Sequence, residues 1–310
     1  MKPKIQIAIS ILIFICFIAI VEHYFSWSKI LSPWYKLDWS DLLVTVLLIF
    51  ISYWARTMRI YDYFINEMRH SFSKCIKLVL HHNMLNNLLP MRAGEISFPI
   101  LMSRYFNIPA SRSIPTLLWF RILDLHTLLG IAIIAIAGIF YNYIVALLLF
   151  AGWMTVPVIM FKTHTLLINK LEPPTNNRVK SLMLKGLVSL PQPSSDLFHA
   201  WGWTWLNWSI KISVSAWIIL LFLDTSINIA YMGAITGDLT SVLPIHGIAG
   251  FGSYEAGILA GFLPFDTYNT IGNKADALQA AVYLHLIILG SSLMGGALAF
   301  LIPGKSSSTT

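Results

Sequence analysis

The sequence predicts an all-α integral membrane protein, with about six full transmembrane helices and two re-entrant helical hairpins arranged as an inverted repeat. Three observations carry that expectation. The chain has 310 residues, of which 56% are hydrophobic and only 11% charged, with mean hydropathy +0.69. Soluble domains run nearer roughly 45–50% apolar and about 25% charged, so a chain this poor in charge does not cover a water-facing surface. A set of stretches is long and apolar enough to span a bilayer. Two further apolar stretches are broken near their middles by proline and glycine.

Taken in order, Lys2 and Lys4 precede the apolar run Ile5 to Val21. The layout resembles a signal peptide, but Glu22-His23-Tyr24-Phe25 follows instead of a small-residue cleavage site, so the run reads as an uncleaved first helix. The remaining spans are expected at 42–60, 113–139, 143–161, 205–223 and 277–302. Asn142, between Tyr141 and Tyr143, makes the third and fourth spans a tight hairpin. Trp201, Trp203, Trp205 and Trp208 crowd the start of the fifth, as an interfacial aromatic belt does. The stretch 76–104 is broken by Leu89-Pro90-Met91-Arg92-Ala93-Gly94-Glu95, and 227–263 by the segment from Leu243-Pro244 to Tyr254-Glu255. Proline and glycine at such a break end one helix and allow a tight return, which predicts two re-entrant hairpins. In 162–204, Arg178, Ser181, Lys185 and Ser189 form one stripe, with Val179, Leu182, Met183, Leu187 and Leu190 largely opposite. That pattern predicts a short amphipathic helix on the inner leaflet, ended by Pro191 and Pro193. The tail from Lys305 reads as disordered.

Charge placement orients these elements. With the N-terminus inside, the outer connections near 22–41 and 264–276 hold Lys29, Lys36 and Lys274, whereas the inner ones hold Arg69, Lys74, Lys77, Arg112, Lys162, Lys170, Arg178, Lys180 and Lys185. This satisfies the positive-inside rule and puts both termini in the cytoplasm. The formal charge of +7 and the pI near 9.4 have the same origin, so no nucleic-acid partner is expected. The result is a single transmembrane domain over 1–310. Repeat one covers about 42–139 with hairpin 76–104, repeat two about 205–302 with hairpin 227–263, and the connection 162–204 is cytoplasmic. The two copies are imperfect, since Pro90 and Glu95 lie closer together than Pro244 and Glu255. Paired, interrupted segments in two inverted halves point to a transporter binding site.

Arg92, Glu95, Arg121, Asp124 and Glu255 fall within or near membrane depth. A charge at a helix centre costs about 2.5–3.5 kcal/mol, so these groups pair or line a wet cavity. Arg121 and Asp124, three apart, share a helix face and either form a structural ion pair or serve a site. Glu95 and Glu255 open the outgoing half-helices, where an acid also complements the helix dipole. Arg92 sits in the first break, where a guanidinium beside free backbone N–H groups suits a phosphate or carboxylate. Asn83, Asn86 and Asn87, with His82, end the incoming half-helix and need polar partners; Tyr254 and Ser253 stand at the second tip. His81 and His82 are adjacent and no H-E-x-x-H occurs, so no metal is expected. Gly247, Gly250 and Gly252 lack the strand and lysine of a nucleotide loop, and no cofactor is expected. Cys16 and Cys75 suggest neither a disulfide nor a metal site. Ser291 with Gly295, and Ser292 with Gly296, have the small-xxx-small spacing that lets helices pack closely.

The strings Leu88-Leu89-Pro90-Met91-Arg92-Ala93-Gly94-Glu95 and Arg121-Ile122-Leu123-Asp124, with the segment Leu243 to Glu255, resemble the flippase-like transmembrane family of lysylphosphatidylglycerol synthases. The resemblance runs from about residue 10 to 304 with the motifs in order. It implies a lipid flippase or transporter of a prokaryotic plasma membrane, with Arg92, Glu95, Arg121, Asp124 and Glu255 along the path of a lipid carrying a phosphate headgroup. The soluble aminoacyl-transfer domain of the synthases has no counterpart here, so lysyl-lipid synthesis is not expected. Two alternatives stay open: a membrane-embedded transferase using a lipid-phosphate donor, and a non-catalytic partner of a lipid or glycan assembly complex. Association with a second copy or another membrane protein is equally open.

Overall fold

A computed structural model of the chain describes residues 3–32, 34, 37–89, 93–171, 195–240, 247–265 and 274–303. Among the described residues every regular element is helical. They are α1 (Pro3–Tyr24), α2 (Trp27–Leu31), α3 (Trp39–Tyr63), α4 (Ile65–Met68), α5 (Phe72–Leu88), α6 (Ala93–Phe106), α7 (Ala110–Phe140), α8 (Tyr143–Leu171), α9 (Ser195–Phe222), α10 (Ile227–Thr240), α11 (Ser253–Phe262) and α12 (Lys274–Leu301). The expected amphipathic segment 178–190 lies outside the described residues.

Five stretches are long and apolar enough to cross a membrane: Trp39–Tyr63, Ala110–Phe140, Phe198–Phe222, Ile248–Phe265 and Lys274–Leu301. Four of them coincide with expected spans. The other two expected spans correspond to shorter apolar helices, Ala8–Tyr24 and Tyr143–Ile159, the latter continuing as helix to Leu171. The fifth, Ile248–Phe265, falls within the second expected hairpin and is not one continuous helix. A 3-10 turn at Ile248–Gly250 contains Ala249 with φ 51°, and the α-helical part is the 10 residues of α11. At ~1.5 Å per residue those rise about 15 Å, half of a ~30 Å hydrocarbon core.

Local chemistry sets the turns. Asn142 accepts the Val145 backbone N–H at 3.0 Å and so caps the start of α8, as its place between two spans predicts. In the first hairpin a Cβ on Gly94 would fall onto the Asn86 backbone, so only glycine lets α6 return this close to α5. Gly295 and Gly296 seat α12 on α5, against Leu80 and Met84.

The helices pack in a pattern that maps onto itself when α3, α5, α6 and α7 are exchanged for α9, α10, α11 and α12. α3 packs on α9. α5 packs on α6, α3 and α12, while α10 packs on α11, α9 and α7; α6 meets α7 as α11 meets α12, and α12 meets α3 as α7 meets α9. One pair departs: α9 lies directly against α12, whereas α3 reaches α7 through the long side chain of Arg59. The largest buried cluster runs through α3, α7, α9, α10, α11 and α12, from Ile49 and Leu128 to Phe222 and Tyr283. A second surrounds α5 and α6, including Phe64, Leu78, Phe98 and Phe120.

The tryptophans at the start of α9 make side-chain contacts to neighbouring helices. Trp208 is buried, Trp203 donates its indole N–H to Asp62 at 2.6 Å, and Trp201 faces His126. An indole carries a donor on a large apolar body; Trp201, Trp203 and Trp208 find acceptors on other helices, while Trp205 Nε1 has none among the described residues.

Candidate functional site

Two polar clusters lie beside the two hairpins. In the first, α3 and α7 supply the centre. Asp124 Oδ1 accepts from Arg59 Nη1 at 2.6 Å and from Trp208 Nε1 at 2.8 Å. Its Oδ2 accepts from Arg121 Nη1 at 3.2 Å, and Arg121 Nη2 reaches Glu95 Oε1 on α6 at 3.0 Å. Arg59 also donates to Thr204 Oγ1 at 3.1 Å and lies over the Phe120 ring, 4.4 Å from its centroid. Both Arg59 and Asp124 are almost wholly buried, at 5% and 3% exposure. Next to them Arg56 Nη1 donates to Asn83 Oδ1 at 2.7 Å. Arg56, Arg59, Arg121 and Asp124 share one small cleft with His82. Three guanidinium groups thus face two carboxylates, and one positive charge is not matched among these groups. Among the described residues the Nε atoms of all three arginines and the buried amide Nδ2 of Asn83 have no hydrogen-bond partner. Buried donors in that state favour an anionic ligand with several acceptor oxygens.

The second cluster stands where the two hairpins meet. A small polar pocket is lined by Asn86 and Asn87 from α5, by Gly250, Ser253 and Tyr254 from the second hairpin, and by Lys211, Asp238 and His285. Lys211 Nζ is 2.5 Å from Asp238 Oδ1 and 4.9 Å from the centre of the Trp208 ring. Tyr254 is buried and its hydroxyl has no partner among the described residues. Glu255 lies behind His285, outside the pocket lining. Its Oε2 accepts the Gly252 N–H at 2.8 Å, closing the N-terminus of α11, and its Oε1 is 2.6 Å from His285 Nδ1. His285 Nε2 lies 2.9 Å from the Ala249 carbonyl oxygen, a group that only accepts, so Nε2 carries a hydrogen. Nδ1 and the Glu255 carboxyl then hold one proton between them.

The clusters are joined. Glu95, Arg121, Asp124, Trp208, Lys211 and Asp238 follow one another through hydrogen bonds, ion pairs and a cation–π contact, a polar track from α6 in the first hairpin to α10 in the second. Of the residues expected from sequence, Glu95, Arg121, Asp124 and Asn83 meet in the first cluster. Asn86, Asn87 and Tyr254 line the second, with Glu255 behind it. Arg92 lies outside the described residues. Arg56, Arg59, Lys211, Asp238 and His285 were not anticipated. A signal existed for four of them, since Arg56, Arg59, Lys211 and Asp238 are ionisable residues within apolar stretches.

A family model described as the lysylphosphatidylglycerol synthase TM region matches residues 7–301. The chain belongs to that family. It is a multi-pass membrane protein, with the family's transmembrane region covering nearly its whole length. Among curated proteins none matches it. Within this family member the charged clusters sit among apolar helices, where burying an ion without a partner costs most.

Proposed function

We propose that this protein moves a lipid with an anionic, phosphate-bearing headgroup between the leaflets of a prokaryotic plasma membrane, through a site at mid-depth formed by two re-entrant hairpins. The observation that carries this reading is the polar track from Glu95 to Asp238, which links one hairpin to the other across helices whose outer faces are apolar. A phosphate's barrier to crossing is the loss of its hydration in hydrocarbon. Arg121 and Lys211 on the track, with Arg56 beside it, would replace water, while the lipid's tails stay among the bilayer's own chains. Glu95, Asp124 and Asp238 balance those cations when no headgroup is bound.

The short helices support the re-entrant arrangement: α10 has 14 residues and α11 has 10, rising about 21 and 15 Å against a ~30 Å core. The self-mapping helix contacts support a repeat of two four-helix units, here 42–139 and 205–302; the Lys/Arg placement supports their inverted orientation, with both termini in the cytoplasm. Rocking one unit against the other about the shared α3–α9 contact would open the site to each side in turn. A lipid of net charge one crossing the whole field gains or loses about 2.3 kcal/mol per 100 mV, enough to bias the direction. Membership of a family named for a synthase of a membrane phospholipid supports a lipid cargo.

The test is transport of fluorescent phosphatidylglycerol in proteoliposomes. Arg56→Gln is the informative variant, because the side-chain partner of Arg56 is the neutral Asn83 and its loss strands no carboxylate. Transport should exceed that of protein-free vesicles and fall about tenfold in Arg56→Gln, equivalent to ~1.4 kcal/mol of lost headgroup stabilisation. Glu255→Gln keeps an acceptor for Gly252 and places a donor at His285, so it should fold normally and report on the shared proton alone. Unchanged transport in Arg56→Gln and in an Asn86→Ala/Asn87→Ala variant would remove the proposed site.

A further inference from the structure

α1 is fastened to the second hairpin and its neighbours at two places. Phe14 and Phe17 meet Phe251, with ring centroids 5.8 and 6.2 Å apart. Val21 joins Ile30, Leu278 and Val282 in a small buried cluster. Alongside these contacts an open groove follows the helix, walled by Leu12, Cys16 and Ile20 of α1, Ala256 and Leu259 of α11 and Leu278 of α12. The stretch that lines it, from Leu12 of α1 to Phe25 just past the helix end, rises about 20 Å. One leaflet's share of the hydrocarbon core is about 15 Å. The groove is therefore long enough for a single lipid chain.

Its two ends differ. The inner end is Gly252 and Glu255, and the carboxylate of Glu255 is fully engaged by Gly252 and His285, so no open charge faces the groove there. Gly252 has φ 83°, and a Cβ on it would press against Phe17 Cβ at 3.1 Å and Ile13 Cγ2 at 3.2 Å, so α1 lies directly on this turn. The outer end carries Lys274, whose side chain is exposed. An apolar trough with a cation at its mouth complements a hydrocarbon chain below an anionic headgroup. The exposed neighbours on α1, Ile11, Ile15 and Ile18, mark its surroundings as hydrocarbon. The same turn also bounds the polar cavity, which Ala249, Gly250, Ser253 and Tyr254 line from the other side. A partition one turn thick thus separates the trough from the proposed headgroup site.

We infer that this groove seats one hydrocarbon chain of the transported lipid, its phosphate at Lys274 and its chain end against Gly252. The seat rests on the transport reading above and adds to it the route by which cargo is held beside the polar cavity, between α1 and the second hairpin.

The experiment uses the full chain in proteoliposomes containing phosphatidylglycerol with a photoactivatable diazirine at mid-chain, followed by peptide mapping of the adducts. Adducts should concentrate on Leu12–Ile20 and Ala256–Leu259, several-fold above the exposed Ile144, Leu147 and Leu148 of α8. Ala256→Trp, which fills the trough from an exposed position, should abolish them and slow transport several-fold. Lys274→Gln should weaken labelling by the phosphatidylglycerol probe, and a phosphatidylcholine probe should label the groove weakly in both proteins. Equal labelling of all lipid-facing helices would mean bulk lipid only and overturn the seat. So would Cys16–Cys16 cross-linking in place of lipid adducts, which would put a second copy there. Full transport in Ala256→Trp, with Arg56→Gln still about tenfold slower, would overturn the seat and leave the headgroup site standing. If the wild type fails to transport, the transport reading falls, while the labelling map still decides whether the groove holds a chain.

Discussion

Arg59 and Asp124 show how single residues are held at this depth. The pair is hydrogen-bonded at 2.6 Å, and Trp208 and Arg121 use the remaining carboxylate positions. Removing one member strands the other's charge, which typically costs about 3–5 kcal/mol, whereas replacing both with apolar residues is often neutral. Arg59→Met should therefore lower thermal stability in detergent sharply, and Arg59→Met/Asp124→Leu should recover most of the loss. A double variant as unstable as the single one would show that Arg59 acts by packing on Phe120. The sequence made Arg121–Asp124 legible, because a three-residue spacing on one helix needs no tertiary knowledge. It did not make Arg59 legible as their partner. Arg59 lies at the edge of the expected span 42–60, where an arginine usually snorkels to water, and Asp124 is brought to it from 65 residues further on.

At the level of elements, both hairpins are closed by glycine contacts between half-helices. Gly257 and Gly261 of α11 face Gly237 and Gly233 of α10; a Cβ on Gly261 would stand 2.9 Å from the Gly233 Cα, and one on Gly257 3.2 Å from the Gly237 Cα. This is small-xxx-small packing on both partners. Gly261→Val should cost about 1–3 kcal/mol through overpacking and, by pushing α10 and α11 apart, impair transport. Gly94→Ala should act the same way on the first hairpin, because the added methyl meets backbone, which cannot rotate aside. Thermal melts and fluorescent-lipid transport on the same preparations check both. The breaks after Leu88 and Thr240 were legible from Pro90 and Pro244. The α10–α11 glycine contact was not, although the spacing was there to read, because spacing alone does not say which helix face meets which.

For the whole molecule, an inverted repeat makes a vectorial prediction. With Cys16 replaced by serine, Leu89→Cys at the first tip should react with a membrane-impermeant thiol reagent from the cytoplasmic side, and Ser253→Cys at the second tip from the opposite side. Labelling of both from one side would rule out the inverted arrangement while leaving the helix packing intact. Cys75 is buried and does not interfere.

Composition and the placement of proline, glycine and lysine were enough to derive a helical membrane protein with two interrupted segments, since those features act through local hydration and backbone geometry. Partner choice was a different matter. That Asp124 takes Arg59, that Glu255 takes His285 from 30 residues away, and that Trp208 turns inward to link the clusters depends on which helix faces meet. Ionised side chains surrounded by hydrocarbon must find a partner or an aqueous space, and the positions of those partners exist once the chain has folded on itself.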